Sequence, residues 1–112
     1  MPDRPEVVCL CGSLRFAEQL RAEARGITLA GAVVLAPVEV GVEVTPELAT
    51  RLGELHLRRI DLADRVLVVN PGGYVGEAVA REVAHARATG IPVTFTVPPD
   101  RPGATPLPRP PA

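Results

Sequence analysis

The chain has 112 residues, a length that fits one domain. It contains 12 arginines, no lysine and 13 acidic residues, which gives a formal net charge of −1. Hydrophobic residues make up 46% of the chain, enough for a compact core, whereas aromatic residues make up only 3%. The lack of a basic excess and of aromatic stacking platforms argues against a nucleic acid polymer as the partner.

Short apolar runs alternate with segments of helical periodicity along the first 97 residues. Ser13 and Thr45 are suitable N-caps for the first two helices, and Gly31 and Gly90 are suitable stops for the first and third. The pattern predicts strands over residues 7–11, 32–36, 66–69 and 92–97, and helices over residues 14–30, 46–63 and 76–88.

Two segments do not fit this alternation. Residues 37–46 alternate apolar and acidic side chains, which is compatible with an edge strand or with a loop that lines a crevice. From residue 98 onward, seven of the fifteen residues are proline. We therefore predict an α/β domain over residues 1–97 and a polyproline-like or disordered tail over residues 98–112.

The order β-α-β-α-β-α-β, with short and continuously apolar strands, predicts an α/β fold with a single doubly wound parallel sheet. Right-handed crossovers give the strand order 2-1-3-4. In such sheets, ligands bind beyond the carboxyl ends of the strands where the strand order reverses, here between the first and third strands.

The loop after the first strand reaches that position with Gly12, Ser13 and Arg15. Glycine lets the backbone approach a ligand, and free N–H groups at a helix start attract anions. Ser13 can offer a hydroxyl while it caps its helix, and Arg15 can reach a phosphate or carboxylate. An ordinary strand-to-helix turn would use similar residues, so both interpretations stay open.

The loop after the third strand is richer in glycine than a plain turn requires. It carries the candidate ligand-binding residues Asn70, Gly72, Gly73 and Gly76, with the lone tyrosine, Tyr74, between the last two. Tyr74 could donate a hydrogen bond to a ligand or stack on it, or it could simply pack within the loop. We expect this loop to face the one that contains Gly12.

The third predicted helix carries two carboxylates. Glu77 lies in the first turn, where it suits the helix dipole, could contact a ligand and can pair with Arg81. Glu82 lies on the flank of the apolar stripe among alanines, which predicts a partly desolvated carboxylate with space beside it. A salt bridge with an arginine at the rim is the structural alternative. His56, near the buried side of the second helix, is a candidate catalytic helper or a structural histidine.

Cys9 and Cys11 are two apart on a strand, so both side chains should point to one face as buried, reduced thiols. Because His56 and His85 are far away in sequence with no matching spacing, we expect no zinc site. We expect no cofactor either. No secretory signal and no apolar run of membrane-spanning length are present, which predicts a cytoplasmic protein without a membrane partner.

Three segments resemble the nucleoside 2-deoxyribosyltransferase superfamily, in particular its small bacterial branch and the 2'-deoxynucleoside 5'-phosphate N-hydrolases. The segments are CGSLRF, LHLRRIDLADRVLVVN and GGYVGEAVAREVAHARATGIPV. The resemblance covers nearly the whole chain up to about residue 97. It implies a flavodoxin-like or Rossmann-like fold, a homodimer or larger assembly, and cleavage of an N-glycosidic bond.

Carried over to this sequence, the resemblance places the nucleophilic glutamate at Glu82. It also implies that Gly12, Ser13 and Arg15 grip a 5'-phosphate. Two positions depart from the family pattern. Cys9 stands where a tyrosine is frequent, and His56 stands where an aspartate is frequent.

The leading hypothesis is therefore an N-glycosidase that acts on a nucleoside or its 5'-monophosphate through a covalent glycosyl-glutamate, followed by hydrolysis or base transfer. Burial should raise the pKa of Glu82, while a hydrogen bond from His56 or Tyr74 would lower it. The alternative is a catalytically inactive module that binds or senses a nucleotide.

Overall fold

The computed structural model describes residues 4–98, and this part of the chain contains four strands and three α-helices. In chain order these are β1 (Val7–Cys11), α1 (Ala17–Leu29), β2 (Val33–Leu35), α2 (Pro46–Asp61), β3 (Arg65–Val68), α3 (Glu77–Ala88) and β4 (Val93–Phe95). Two short 3-10 turns, Leu14–Phe16 and Pro71–Gly73, precede α1 and α3.

All four strands are parallel and lie in the order β2-β1-β3-β4, which confirms the predicted doubly wound sheet. The order reverses between β1 and β3, where Cys11 pairs with Val68 at the carboxyl ends of the two strands. The loops that follow these strands therefore begin side by side at one edge of the sheet.

Strand β1 divides the core because its successive side chains point to opposite faces of the sheet. Val8 and Leu10 pack on one face with Leu20 of α1. Cys9 and Cys11 pack on the other face, in a cluster that includes Ile60 of α2 and buried residues of α3. Both cysteines are free and fully buried, which confirms that they share one face.

The first helix begins differently from its prediction. Ser13 does act as a cap, but its Oγ accepts from the backbone N–H of Arg15 at 3.2 Å and so caps the 3-10 turn, while α1 starts only at Ala17. The end of α1 follows the prediction, because Gly31 has a φ of 99° just beyond the helix. The observed strands β2 and β4 are each shorter than predicted.

The alternating segment that starts at Pro37 forms no strand. It is a loop, and Pro37, Val38 and Val40 line a cavity, so the crevice interpretation is the correct one. The loop ends where Thr45 Oγ1 accepts from the backbone N–H of Leu48 at 3.1 Å, with Pro46 in the first turn of α2.

No helix among residues 4–98 is long and apolar enough to cross a membrane. Of the tail predicted over residues 98–112, all but Pro98 lie outside the described residues.

Gly12 marks a close approach between the β1 loop and the end of β3. A Cβ atom at this position would lie 2.9 Å from the backbone oxygen of Val69 and 3.2 Å from Cδ2 of Leu20. The backbone N–H of Val69 donates to the oxygen of Cys11 at 2.8 Å, so neither chain segment can retreat without losing this bond. Only glycine fits here.

We predict that Gly12→Ala lowers the free energy of unfolding by about 1–3 kcal/mol, because the added methyl group overpacks a backbone contact. The measurement is equilibrium unfolding in urea, followed by circular dichroism.

The matched control is Gly26→Ala in the interior of α1, where a Cβ would meet no atom within 4 Å. This substitution should stabilise the protein by about 0.5–1 kcal/mol, because alanine has the higher helix propensity. Equal effects of the two substitutions would contradict the steric assignment at Gly12.

Candidate active site

A cavity of about 770 Å³ lies on the α2 and α3 side of the sheet. Three structural elements form most of its wall: the loop that begins at Pro37, one face of α2, and one face of α3. Its size falls in the range of pockets that hold small organic ligands. The lining residues from the sheet edge and the two helices include Gly12, Ala49, Gly53, Glu54, His56, Arg59, Ala78, Arg81 and Glu82.

Glu82 and His56 face each other at this cavity. Glu82 Oε1 lies 3.8 Å from His56 Nε2, and the two side chains are 15% and 5% exposed, respectively. Glu82 is one residue away from Val83, which packs in the core, so its side chain leaves α3 at the border between core and cavity. The carboxylate is therefore mostly desolvated and still accessible from the cavity.

The imidazole of His56 contacts two thiols and a guanidinium group. Its Nε2 lies 3.5 Å from Sγ of Cys11 and 3.8 Å from Sγ of Cys9. Its Nδ1 lies 3.3 Å from Nη1 of Arg59. Because a guanidinium can only donate, Nδ1 must accept, and the hydrogen-bond network thus assigns the imidazole proton to Nε2.

Burial raises the pKa of Glu82 above its ordinary value. The electrostatic interaction with His56 and a hydrogen bond with the thiol of Cys11 lower this pKa without cancelling the effect of burial. Desolvation therefore weakens the hold of water on this carboxylate and makes it a better nucleophile once it is ionised.

The pKa values of the two thiols are shifted in opposite directions. The hydrogen bond between them lowers the pKa of Cys9, with a further contribution from His56, whereas the same bond and burial raise the pKa of Cys11. One thiol thus supports the ionisation of the other, and the imidazole adds to this support. We expected no zinc site because His56 is far from the cysteines in sequence, but the fold brings the three donor atoms within 4.8 Å of one another.

The two glycine-rich loops do meet, through aromatic packing. The ring of Tyr74 lies 5.8 Å from that of Phe16 in an edge-to-face arrangement, and the guanidinium carbon of Arg15 lies 5.0 Å from the centre of the Tyr74 ring. A Cβ at position 76 would lie 3.1 Å from the Tyr74 hydroxyl, so Gly76 makes room for it. Tyr74 and Arg15 contact each other and do not line the cavity.

Asn70 is buried and its side chain makes three hydrogen bonds within the fold. Its Nδ2 donates to the oxygen of Val97 at 2.9 Å, while its Oδ1 accepts from the Val97 N–H at 2.9 Å and from the Thr96 hydroxyl at 3.0 Å. These bonds attach the segment after β4 to the carboxyl end of β3. The role of Asn70 in ligand binding stays a prediction.

Of the site residues predicted from sequence, the structure brings Gly12, His56 and Glu82 to the cavity. The others do not line it: Ser13 caps its turn, Glu77 lies in the first turn of α3, and Gly72 and Gly73 form the turn after β3 with φ values of 67° and 82°. Roles in ligand binding for these residues stay predictions.

Sequence reasoning missed the α2 wall of the cavity and the two cysteines behind His56. A signal for the wall was present, because Ala49, Gly53 and His56 recur at helical spacing and leave a groove of small side chains along α2. No comparable signal linked Cys9 and Cys11 to a residue 45 positions further on.

The fold is similar to that of a solved 2-deoxyribosyltransferase from the psychrotolerant bacterium Bacillus psychrosaccharolyticus. The TM-score is 0.58 at 20% sequence identity, over 80% of this chain and 70% of that one. No protein-family model and no curated protein sequence matches this chain. At this identity the similarity shows the fold, a four-stranded parallel sheet with helices on both faces.

We predict that Asn70→Ala lowers the free energy of unfolding by about 1–3 kcal/mol, because it removes three hydrogen bonds that join the end of β3 to residues 96 and 97. Urea unfolding measures the effect. Thr94→Ala, at an exposed position of β4, is the control and should change stability by less than about 0.5 kcal/mol. Unchanged stability in Asn70→Ala would show that the segment after β4 is not held by this side chain.

Proposed function

We propose that this protein cleaves the N-glycosidic bond of a nucleoside or a nucleoside 5'-monophosphate, with Glu82 as the nucleophile. The observation that carries the proposal is a mostly buried carboxylate that opens into a cavity of about 770 Å³ at the point where the strand order of the sheet reverses. The fold shared with a 2-deoxyribosyltransferase and the resemblance in sequence support the same chemistry.

In the proposed first step, a carboxylate oxygen of Glu82 attacks the anomeric carbon of the sugar. The bond between that carbon and the base nitrogen breaks, and its electron pair leaves with the base, which takes up a proton. The product is a glycosyl ester of Glu82. His56 acts as a positioning residue, since its Nε2 lies 3.8 Å from the carboxylate and favours the ionised form.

In the proposed second step, water or a second base attacks the anomeric carbon of the ester from the other side. The bond to Glu82 breaks, the carboxylate is regenerated, and the configuration at the sugar is retained overall. Attack by water completes hydrolysis and releases one proton, whereas attack by a base completes transfer. The mostly apolar wall formed by Val38, Val40 and Leu52 keeps the cavity compatible with a nucleobase.

A homodimer and a location in a reducing compartment such as the cytoplasm accompany this proposal. The sequence resemblance supports the dimer, and the exposed valines at positions 38, 40, 42 and 44 place apolar surface next to the cavity. The two buried free thiols support the reducing compartment.

The second candidate function is a module that binds a nucleotide without turnover. Cys9 and His56, which replace the tyrosine and aspartate frequent in the similar family, favour it. The two functions differ in one measurable respect, because only the enzyme releases a free base.

We predict that the full chain releases free base from at least one member of a panel of nucleosides and 5'-monophosphates, measured by chromatography. Glu82→Gln should reduce this rate more than about 10³-fold, because the amide is a poor nucleophile of similar shape. Glu18→Gln, on α1 at the opposite face of the sheet, is the matched control and should keep the wild-type rate.

Saturable binding without release by the wild-type protein would support the binding module in place of the enzyme. Release that survives in Glu82→Gln would assign the chemistry to another residue.

Arg15 allows a separate test of the 5'-phosphate grip. If its guanidinium binds the phosphate, Arg15→Met should lower kcat/KM for a monophosphate about 10- to 100-fold, the value of a charge-assisted hydrogen bond, and leave the parent nucleoside unaffected. Methionine keeps an apolar contact with the Tyr74 ring. Arg25→Met, exposed on α1, is the control. An equal loss for both substrates would mean that Arg15 acts only through packing on Tyr74.

A further inference from the structure

We propose that the side chains of Cys9, Cys11 and His56 bind one Zn²⁺ ion, with the carboxylate of Glu82 as the fourth ligand. The proposal concerns a group of donor atoms that the glycosidase chemistry does not need: two thiols behind the imidazole, on the inner side of the cavity.

The distances between the donor atoms suit a tetrahedral zinc site. With Zn–S bonds of about 2.3 Å and Zn–N bonds of about 2.0 Å, sulfur and nitrogen ligands lie about 3.5 Å apart. In this structure, Nε2 of His56 lies 3.5 Å from Sγ of Cys11 and 3.8 Å from Sγ of Cys9, and all three atoms lie within 4.8 Å of one another. A cation at their centre would need little movement.

Glu82 completes the set on the cavity side. Its Oε1 lies 3.8 Å from His56 Nε2, and a tetrahedral site would bring the two atoms about 0.5 Å closer. Two thiolates, an imidazole and a carboxylate form a mixed soft donor set, which suits Zn²⁺ and not the hard cations Mg²⁺ or Ca²⁺.

The donor atoms are held by three packed elements. Cys9 and Cys11 lie on the same face of β1 with no exposed surface, His56 is held by α2, and Glu82 is held by α3. The side chains around them belong to the largest buried cluster among the described residues, which limits their rotation. His56 and Glu82 also line the cavity, so a cation has a path from solvent to the thiols.

Because Arg59 contacts Nδ1 of His56, zinc binding at Nε2 should change the tautomer of the imidazole, which can be measured. In this structure its guanidinium donates to Nδ1 of His56, which assigns the proton to Nε2. A metal on Nε2 requires the proton on Nδ1, so the Arg59 side chain must turn away from the ring. Starting from two neutral thiols, binding releases two protons, one from each thiol, while the imidazole keeps a single proton that moves from Nε2 to Nδ1.

Zinc at this site has a consequence that rests on the proposed function. A carboxylate oxygen bound to the metal is not available to attack a sugar, so a zinc-loaded protein would be inactive as a glycosidase. The cation would then be a reversible inhibitor that binds at the nucleophile itself.

The first test is metal binding by the full chain, purified under reducing conditions with a chelator that is then removed. We expect one equivalent of Zn²⁺ to bind, measured by competition with a chromophoric chelator. Co²⁺ in its place should give the intense visible bands of a tetrahedral site and a near-ultraviolet band from thiolate ligands.

Cys11→Ser and His56→Gln should each weaken the affinity for Zn²⁺ more than about 100-fold. Loss of a residue that only hydrogen-bonds a metal ligand costs about 10- to 100-fold, and loss of the ligand itself should cost more. Circular dichroism shows whether each variant is folded. The control is His85→Gln, whose imidazole pairs with Asp61 at 2.6 Å on the surface and should not affect binding. Nitrogen-15 NMR of His56 should show the proton move from Nε2 to Nδ1 as zinc is added.

Failure of stoichiometric binding by the wild-type chain, a cobalt spectrum without thiolate bands, or unchanged affinity in a folded Cys11→Ser variant would each overturn the zinc site. The glycosidase proposal is tested separately, by base release from the metal-free chain. Binding of zinc by a chain that never releases base would retain the site and remove only the inhibitory role.

Discussion

One buried imidazole connects the three elements on which the site depends. His56 of α2 contacts the cysteines of β1 and faces Glu82 of α3, while its other nitrogen is held by Arg59. A buried polar ring must satisfy both of its nitrogens, which restricts how α2 can sit on the sheet. Within residues 4–98, no buried side-chain nitrogen or oxygen lacks a hydrogen-bond partner. The site is thus part of the core packing.

Strand β1 determines where His56 can pack, because its side chains contribute to both faces of the sheet. Its valine and leucine side chains pack on α1, whereas the alternate positions present two small polarisable thiols to α2. A thiol is small enough to leave room for an imidazole in the core and polar enough to contact its nitrogen. Larger apolar residues at positions 9 and 11 would fill the space that His56 occupies.

The fold could be predicted from sequence to a large extent, because the strands are short apolar runs and several helix boundaries carry a capping or stop residue. Thr45 and Gly31 are examples in which one residue determines a boundary through local chemistry. The start of α1 could not be predicted to the residue, since Ser13 caps a 3-10 turn as readily as an α-helix.

The site was only partly predictable, because local sequence patterns do not specify contacts between distant residues. The alanine-lined flank of α3 identified the position of Glu82, because helical periodicity is local information. The contacts of His56 with Cys9 and of Arg15 with Tyr74 join residues more than 45 positions apart. Such contacts depend on how far each helix is shifted along the sheet, a quantity that no local pattern in one sequence specifies.

The charges at the cavity bear on the ligand that it can accept. Its lining includes two carboxylates, Glu54 and Glu82, and two guanidinium groups, Arg59 and Arg81. The arginine on α3 favours the ionised form of Glu82, and Arg59 is engaged by the imidazole. Arg59 thus contacts the imidazole, while Arg81 places a positive charge near the carboxylate. Under the proposed function, a neutral nucleoside adds no charge to this balance, whereas the phosphate of a monophosphate would add negative charge that Arg59, Arg81 or Arg15 on the β1 loop would have to match.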